Sequence, residues 1–405
     1  MSCTPLRTTV RISDIIHPVV AGLISVIVNY GGTFILVFQA ARVANLSPEL
    51  TASWVWSISI GVGLSGLLLS WRYRAPIITA WSTPAAAFLV TALATTSYAE
   101  AIGAYMISAI AFVILGLSGY FQKIIRLIPP GIASGLLAGI LLQFGIGAFS
   151  SASVDPVLVG TLIIAYIFLK RLSARYAVIG ILVIGFVFLL MQERVDLSGL
   201  QLKLAAPIFT MPEFSLNATL SIALPLFLIT LTGQYMPGML VLRNDGFQTS
   251  ANPIVTVTGF GSLIMAPFGS HAFNIAAITA AITTGREAHE DPSKRWIAGM
   301  AAGCFYILVG VFGVTLAAVF MALPATFITA LAGLALLGAI GGSLAGAMAD
   351  PNSREAALIT FLASAANISL FGIGGAFWGL VIGLIASVVL NGQLSGKRHN
   401  RPPVG

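Results

Sequence analysis

Apolar runs of roughly 16–25 residues succeed one another along almost the whole chain, each long enough to cross a ~30 Å hydrocarbon core as a helix. No water reaches the backbone in that core. Such runs therefore restrict the fold to helices, with irregular segments tolerated only where protein covers them. Only 8% of the 405 residues are charged, against about 25% in an ordinary soluble domain. The chain reads as an all-α polytopic membrane protein. Its net charge of +7 does not argue for nucleic acid, because the basic residues form no patch with interleaved aromatics. Cys3 lies in the N-terminal tail and Cys304 inside a span, so neither a disulfide framework nor a metal site is expected from them. Arg7 and Arg11 precede an apolar run, as in a signal peptide. No small-residue cleavage site follows, and a retained first span is expected.

Fourteen spans are predicted, at 15–38, 50–71, 76–95, 101–121, 127–147, 156–169, 177–191, 218–241, 252–266, 268–284, 296–320, 324–346, 356–371 and 373–391. An even count puts both termini on one side. Seventeen of the twenty basic residues then fall on that side, and only Arg42, Arg194 and Lys203 fall opposite. By the positive-inside rule the termini of this multi-pass protein are expected to be cytoplasmic. The most polar loop, roughly 192–217, divides the chain into two sets of seven. Pro76 opens the third span and Pro267 immediately precedes the tenth; Pro129 and Pro130 at the fifth are echoed by Pro324 at the twelfth. Seven is odd, so the two halves would be inserted with opposite topology. That is the inverted-repeat plan of many secondary transporters.

The third and tenth spans open badly as helices. Pro76-Ile77-Ile78-Thr79-Ala80-Trp81-Ser82-Thr83-Pro84 predicts an extended stretch, with a helix starting near Pro84 and Ser82 or Thr83 as its cap. Pro267-Phe268-Gly269-Ser270-His271-Ala272-Phe273-Asn274 predicts a second extended stretch before the small-residue helix of Ile275-Ala276-Ala277-Ile278-Thr279. Paired broken spans of this kind point to a binding site, because two half-helix N-termini aim N–H groups and positive dipole ends at one point. Such a point suits an anion without Lys or Arg. His271 is the only acidic, basic or histidine side chain well inside a predicted span. A group of that kind is costly in a bilayer and marks function by default.

On these residues the chain resembles the benzoate/proton symporter (BenE) family, which shares the seven-plus-seven inverted-repeat fold of uracil permease and related nucleobase and anion transporters. Ala80-Trp81-Ser82-Thr83-Pro84-Ala85 and Gly269-Ser270-His271-Ala272-Phe273-Asn274 carry the resemblance, which extends over essentially the whole chain. It implies a core domain from spans 1–4 and 8–11 (15–121 and 218–320) and a gate domain from spans 5–7 and 12–14 (127–191 and 324–391). Cytoplasmic tails 1–14 and 392–405 flank them, and the external loop 192–217 separates the halves. Substrate would bind between spans 3, 8 and 10, and the core would move against the gate like an elevator. Uracil permease places a carboxylate where Phe273 stands, and a second that falls by counting on Gln234. Both acids are missing here. A carboxylate suits the N–H donors of a nucleobase and would repel benzoate, so Phe and Gln adapt the site to an aromatic acid.

The substrate-binding candidates are Asn29, Tyr30, Trp81, Ser82, Thr83, Gln234, Tyr235, Ser270, His271, Phe273 and Asn274. His271 also carries proton coupling, since an imidazole titrates near 6.5. Gln234, Ser82, Thr83 and Ser270 can donate to a carboxylate oxygen. Phe273, Phe268, Trp81 and Tyr235 offer walls for an aromatic ring. Asn367, Gln143 and Gln39 read as structural, and Arg286 to Pro292 as a solvated turn. The function expected is import of benzoate or a similar aromatic carboxylate with a proton, without cofactor or metal, in a protein that could pair as a homodimer through the gate domain. An anion exchanger, a facilitator or a nucleobase permease on the same fold stays open as the alternative. An intramembrane enzyme is remote, because the spans hold no Ser/His/Asp set and no paired carboxylates.

Overall fold

The structure, a computed structural model, describes residues 13–123, 129–172, 177–195, 202–276, 279–286, 288–366, 370 and 375–391. Cys3, Ala277, Ile278, Asn367 and the C-terminal tail lie outside the described residues. Helix α1 (Ser13–Thr33) continues past Phe34 into α2 (Ile35–Val43), followed by α3 (Pro48–Tyr73), strand β1 (Thr79–Trp81), α4 (Thr83–Ala92) and α5 (Tyr98–Ser118). Next come α6 (Pro130–Ser150), α7 (Pro156–Leu172), α8 (Ala177–Met191), α9 (Leu216–Arg243) and α10 (Ala251–Met265). Strand β2 (Phe273–Ile275) and α11 (Ala280–Thr284) precede α12 (Trp296–Val311), α13 (Gly313–Met321), α14 (Ala325–Met348), α15 (Arg354–Ala365) and α16 (Gly375–Asn391). Among the described residues, eight helices are long and apolar enough to cross a membrane by length and composition.

The helices start where local chemistry tells them to. Ser47 caps α3, accepting from the Leu50 N–H at 3.2 Å, with Pro48 in the first turn. Ser97 and Glu100 open α5 as a reciprocal cap: the Ser97 hydroxyl accepts from the Glu100 N–H and donates to the Glu100 carboxylate. Large apolar side chains such as Ile114, Leu117, Phe168 and Leu362 stay exposed, the outward face of a protein whose solvent is hydrocarbon. Inside, α3 and α1 both pack on α12, and α5 packs on α10. Separately, α6 packs on α14 and α15, and α15 on α16.

The expected spans at 76–95 and 268–284 take a different form. Each begins as a three-residue strand, and the two strands pair antiparallel with Thr79 opposite Ile275, Ala80 opposite Asn274 and Trp81 opposite Phe273. Non-helical backbone survives at such depth only if its polar groups find partners inside the protein. They do. The pairing extends on both sides, from Ala276 N–H to the Ile78 carbonyl (2.8 Å) and from Ser82 N–H to the Ala272 carbonyl (3.2 Å). Hydroxyls of the neighbouring helices bracket the pair: Ser70 donates to the Ile77 carbonyl, while Ser262 accepts from Phe273 N–H and donates to the Phe273 carbonyl.

In the turn from Arg286 to Pro292, Arg286, Glu290, Asp291 and Pro292 are exposed, and a buried arginine just beyond it holds the turn in place. Arg295 is the only buried charged side chain among the described residues. It donates to the carbonyls of Thr284 (2.7 Å), His289 (2.7 Å) and Glu290 (3.2 Å). It thereby fastens the end of α11 and the turn beyond it to the start of α12. Asp14 adds ion pairs to Lys294 at 2.8 Å and His289 at 3.4 Å.

Candidate functional site

Strand geometry sorts the candidates, because successive side chains point to opposite faces. On one face, Phe273 runs against α3 and α10, where its ring fills a slot between Gly61 and Gly261; a Cβ on either glycine would overlap the ring. His271 turns the same way and meets Trp54 of α3. On the other face Asn274 lies beside the start of α4. In the amide orientation that satisfies both ends, it accepts from Ser82 N–H (3.3 Å) and donates to the Ile275 carbonyl (2.9 Å). Phe273 thus packs its ring between α3 and α10, while in the strand pairing it stands directly opposite Trp81. Phe268 packs at the far end, against Trp56 and Phe209.

The start of α4 is the best-defined polar feature. Ser82 caps it, accepting from Ala85 N–H at 3.3 Å, and Ala86 N–H goes to the Ser82 carbonyl at 2.8 Å. Pro84 has no N–H. Thr83 thus supplies the first-turn amide without an intrahelical partner. Beyond the second strand the next described helix is α11, and residues 277–278 between them lie outside the described residues. Of the two expected half-helix N-termini, that of α4 lies wholly among the described residues.

Gln234 reaches this place by an unusual route. The α9 segment contains two π-helical turns, Thr219–Ala223 and Leu231–Tyr235, the second of which holds Gln234. Such wide turns free backbone groups and recur at functional positions. This one packs on β2, and a Cβ on Gly233 would stand 3.3 Å from Pro84 of α4. Tyr235, next in the turn, points elsewhere: its ring packs on Phe112 and its hydroxyl pairs with Thr258 at 2.6 Å. It too is a packing residue.

Asn29, Tyr30 and Trp81 form a second group with partners that sequence reasoning missed. The Tyr30 ring lies 4.7 Å from Phe34, 5.1 Å from Trp81 and 5.7 Å from Tyr306. Asn29 donates to the Tyr306 hydroxyl at 2.7 Å, Tyr30 pairs with Ser59, and Trp81 donates to Thr33 at 3.2 Å. Edge-on aromatic packing of this kind holds the rings rigidly. Tyr306 and Phe34 had no signal in the sequence beyond being aromatics in apolar runs.

His271 is fully buried. Its Nδ1 accepts from the Trp54 indole N–H at 3.3 Å, and its ring stands edge-on to Trp54 and 6.4 Å from Tyr105. Its Nε2 finds no partner at ordinary hydrogen-bond distance, and the imidazole lies beside the Ser82 backbone. Ser270 spends its hydroxyl on the His271 carbonyl. None of the eleven candidates is more than 9% exposed, so the structure is closed over them.

The turn before His271 depends on Gly269. Ala266–Phe268 forms a short 3-10 turn, and the Ser53 and Ser57 hydroxyls hold the Phe268 carbonyl at 2.9 and 3.1 Å. The chain then turns back through Gly269 at φ +110°, where a Cβ would meet the Tyr98 hydroxyl at 2.6 Å and Trp54 Cα at 3.0 Å. Gly269→Ala is expected to destabilise by at least ~2 kcal/mol from backbone strain, before any clash is counted. Thermal unfolding in detergent checks this; a melting temperature equal to that of the native protein would refute it.

The chain matches the model of a family described as "Benzoate membrane transport protein" over residues 14–389. It is 41% identical to the "Benzoate membrane transport protein" of Acinetobacter baylyi over 387 residues, covering 96% of this chain and 98% of the relative. It is 40% identical to the "Inner membrane protein YdcO" of Escherichia coli over 371 residues, covering 92% and 95%. Among solved structures it is similar to SLC26A9, with TM-score 0.66, 13% identity and coverage of 94% of this chain and 66% of that one. It is also similar to the transmembrane domain of the cyanobacterium bicarbonate transporter BicA, with TM-score 0.57, 12% identity and coverage of 94% and 98%. These two likenesses show a shared transporter fold and nothing finer. The sequence match is of another order. Spanning nearly the full length of both relatives, and with a polar, capped helix start buried where a membrane helix would ordinarily run unbroken, the chain belongs to the benzoate membrane transport protein (BenE) family, a family of transporters and not of enzymes.

Proposed function

We propose that this protein imports benzoate or a similar small aromatic carboxylate together with a proton. The observation that carries the reading is the start of α4. There the Thr83 N–H lies with the Ser82 and Asn274 side chains, the π-helical turn that carries Gln234 packs alongside through Gly233, and an embedded histidine stands behind, with no acid among the groups named. A helix N-terminus with hydroxyl and amide donors holds a carboxylate without a fixed cation. His271, one layer behind at the Ser82 backbone, is close enough for a charge on its ring to be felt by an anion bound there. Protonation and anion binding then favour each other, which is the thermodynamic content of symport. On this reading the Tyr30 and Trp81 rings, which pack edge-on against each other, meet the cargo's ring.

Transport on this reading uses fourteen spans in two inverted repeats, with cytoplasmic termini. The group of α1, α3, α5, α10 and α12 acts as the core, and the group of α6, α14, α15 and α16 as the gate. The site is closed, so cargo enters only after the two groups part. At the end of the core's second part, Arg42 of α2 donates to the Leu323 carbonyl at 3.0 Å, just before the gate resumes at 324, and Phe38 stacks on Phe320 at 4.4 Å within the core.

The test is uptake of labelled benzoate into proteoliposomes driven by an inwardly acidic-to-neutral pH gradient imposed from outside, with unlabelled salicylate, acetate and uracil as competitors. Accumulation that collapses with the gradient, and that salicylate blocks better than acetate or uracil, is expected. Accumulation that persists after the gradient is collapsed would favour anion exchange or facilitation, and competition by uracil would favour a nucleobase permease.

A further inference from the structure

Trp54 occurs in no motif and touches none of the groups proposed to hold cargo, yet it fixes the chemistry of His271. An indole N–H donates and cannot accept. The Nδ1 atom it donates to must therefore be the unprotonated nitrogen, which leaves the ring proton of neutral His271 on Nε2. Nε2 is the atom without a partner at ordinary hydrogen-bond distance, and the imidazole that carries it lies beside the Ser82 backbone at the start of α4. A second proton on this imidazole would have to sit on Nδ1, pointing directly at the indole N–H.

We propose that Trp54 is a positioning residue that locks His271 as the neutral Nε2–H tautomer in the closed state, so that the transported proton loads only when the indole N–H swings off Nδ1. This rests on the reading of His271 as the proton carrier. The lock is stiff: Trp54 is fully buried, its ring lies 6.0 Å from Tyr98 and 6.5 Å from Tyr105, and its Cα and Cβ abut the Gly269 turn that aims His271. The Ser82 backbone is the other polar neighbour of the imidazole. The titratable groups that face it from the packed elements are the phenols of Tyr98 and Tyr105 on α5, and Tyr105 donates its hydroxyl to no partner. From α4 comes backbone, and from β2 the neutral Asn274. The carboxylate on α5, Glu100, sits at the helix start, where the hydroxyls of Ser215 and Ser97 hold it below the usual carboxylate range. A device of this kind has a functional consequence. An empty closed carrier cannot pick up a proton and return with it, so proton movement without cargo is suppressed.

Trp54→Phe keeps an aromatic ring and removes the donor. The fall of benzoate uptake with rising pH is expected to move to more alkaline pH by about one unit, the size that one neutral hydrogen bond supports. His271→Gln, measured alongside, is expected to flatten the profile. Nitrogen NMR of 15N-histidine-labelled native protein in detergent, with His271 identified by its loss in His271→Gln, reads the tautomer directly and does not depend on the Trp54 variant folding. Neutral Nε2–H is expected in the native protein. An Nδ1–H tautomer there, or a Trp54→Phe profile superimposable on the native one while His271→Gln flattens it, would overturn the proposal. If His271→Gln itself leaves the profile in place, the symport reading fails, and the tautomer measurement still decides whether Trp54 is the lock.

Discussion

Gln234→Glu is expected to raise the KM for benzoate about 100-fold while leaving the protein folded. The side chain is nearly isosteric, and the π-helical turn that carries it is set by backbone geometry, so the change is one of charge alone. Two like charges about 6 Å apart at an effective dielectric near 20 repel by ~3 kcal/mol, which is about a hundredfold in affinity. No buried Lys or Arg stands near to absorb the new charge: the only buried charged residue among the described ones, Arg295, is committed to the carbonyls of Thr284, His289 and Glu290. Gln234→Asn serves as the control, since it shortens the side chain but keeps it neutral, and is expected to cost less than tenfold. Uptake kinetics in proteoliposomes, with monodispersity in detergent as the check on folding, make the comparison. A benzoate KM for Gln234→Glu within a few-fold of native would remove Gln234 from the neighbourhood of the carboxylate.

How far the sequence reached can be read from particular residues. The two strands and the cap at Ser82 were legible because prolines, a glycine and small hydroxyl residues dictate local backbone, and local rules travel with the sequence. His271 stood out because its cost in a bilayer does not depend on where its neighbours are. What the sequence could not provide was direction. These helices are apolar all round, so periodicity does not say which face meets protein and which meets lipid. That is why Phe273 and Tyr235, chosen as walls for a ring, turn out to fill seams against Gly61, Gly261 and Phe112. It is also why Trp54 and Tyr306, the partners of His271 and Asn29, were passed over. Both contacts join residues more than 200 positions apart, and no spacing rule connects them. The π-helical turn at Gln234 is equally silent in sequence, since nothing in Leu-Thr-Gly-Gln-Tyr separates a wide turn from an ordinary one. The second opening resembles the first in composition, and residues 277–278 that would begin its helix lie outside the described residues.

The largest effect on coupling is expected from His271→Gln. Glutamine places an N–H donor roughly where Nε2–H lies, and its carbonyl can accept from Trp54, so the packing around a fully buried position is largely kept. What it cannot do is take up a proton. Benzoate binding and benzoate–benzoate counterflow should therefore persist within about tenfold of native, the range set by swapping one neutral hydrogen bond for another. Accumulation against a concentration gradient should vanish, because an imposed pH gradient then has no site through which to act. Histidine is suited to that task and glutamine is not, since the imidazole changes charge between about pH 5 and 8. His271→Ala separates the two roles further. It leaves the Trp54 N–H buried without an acceptor, at a cost of ~1–3 kcal/mol, and is expected to lose stability as well as coupling. The decisive pair of measurements is counterflow and gradient-driven uptake on the same liposomes. Loss of both in His271→Gln would make the residue structural, and retention of both would mean that the proton travels by another route. Loss of the second alone is the signature of a residue that carries the proton while its neighbours at Ser82, Thr83, Asn274 and Gln234 carry the cargo.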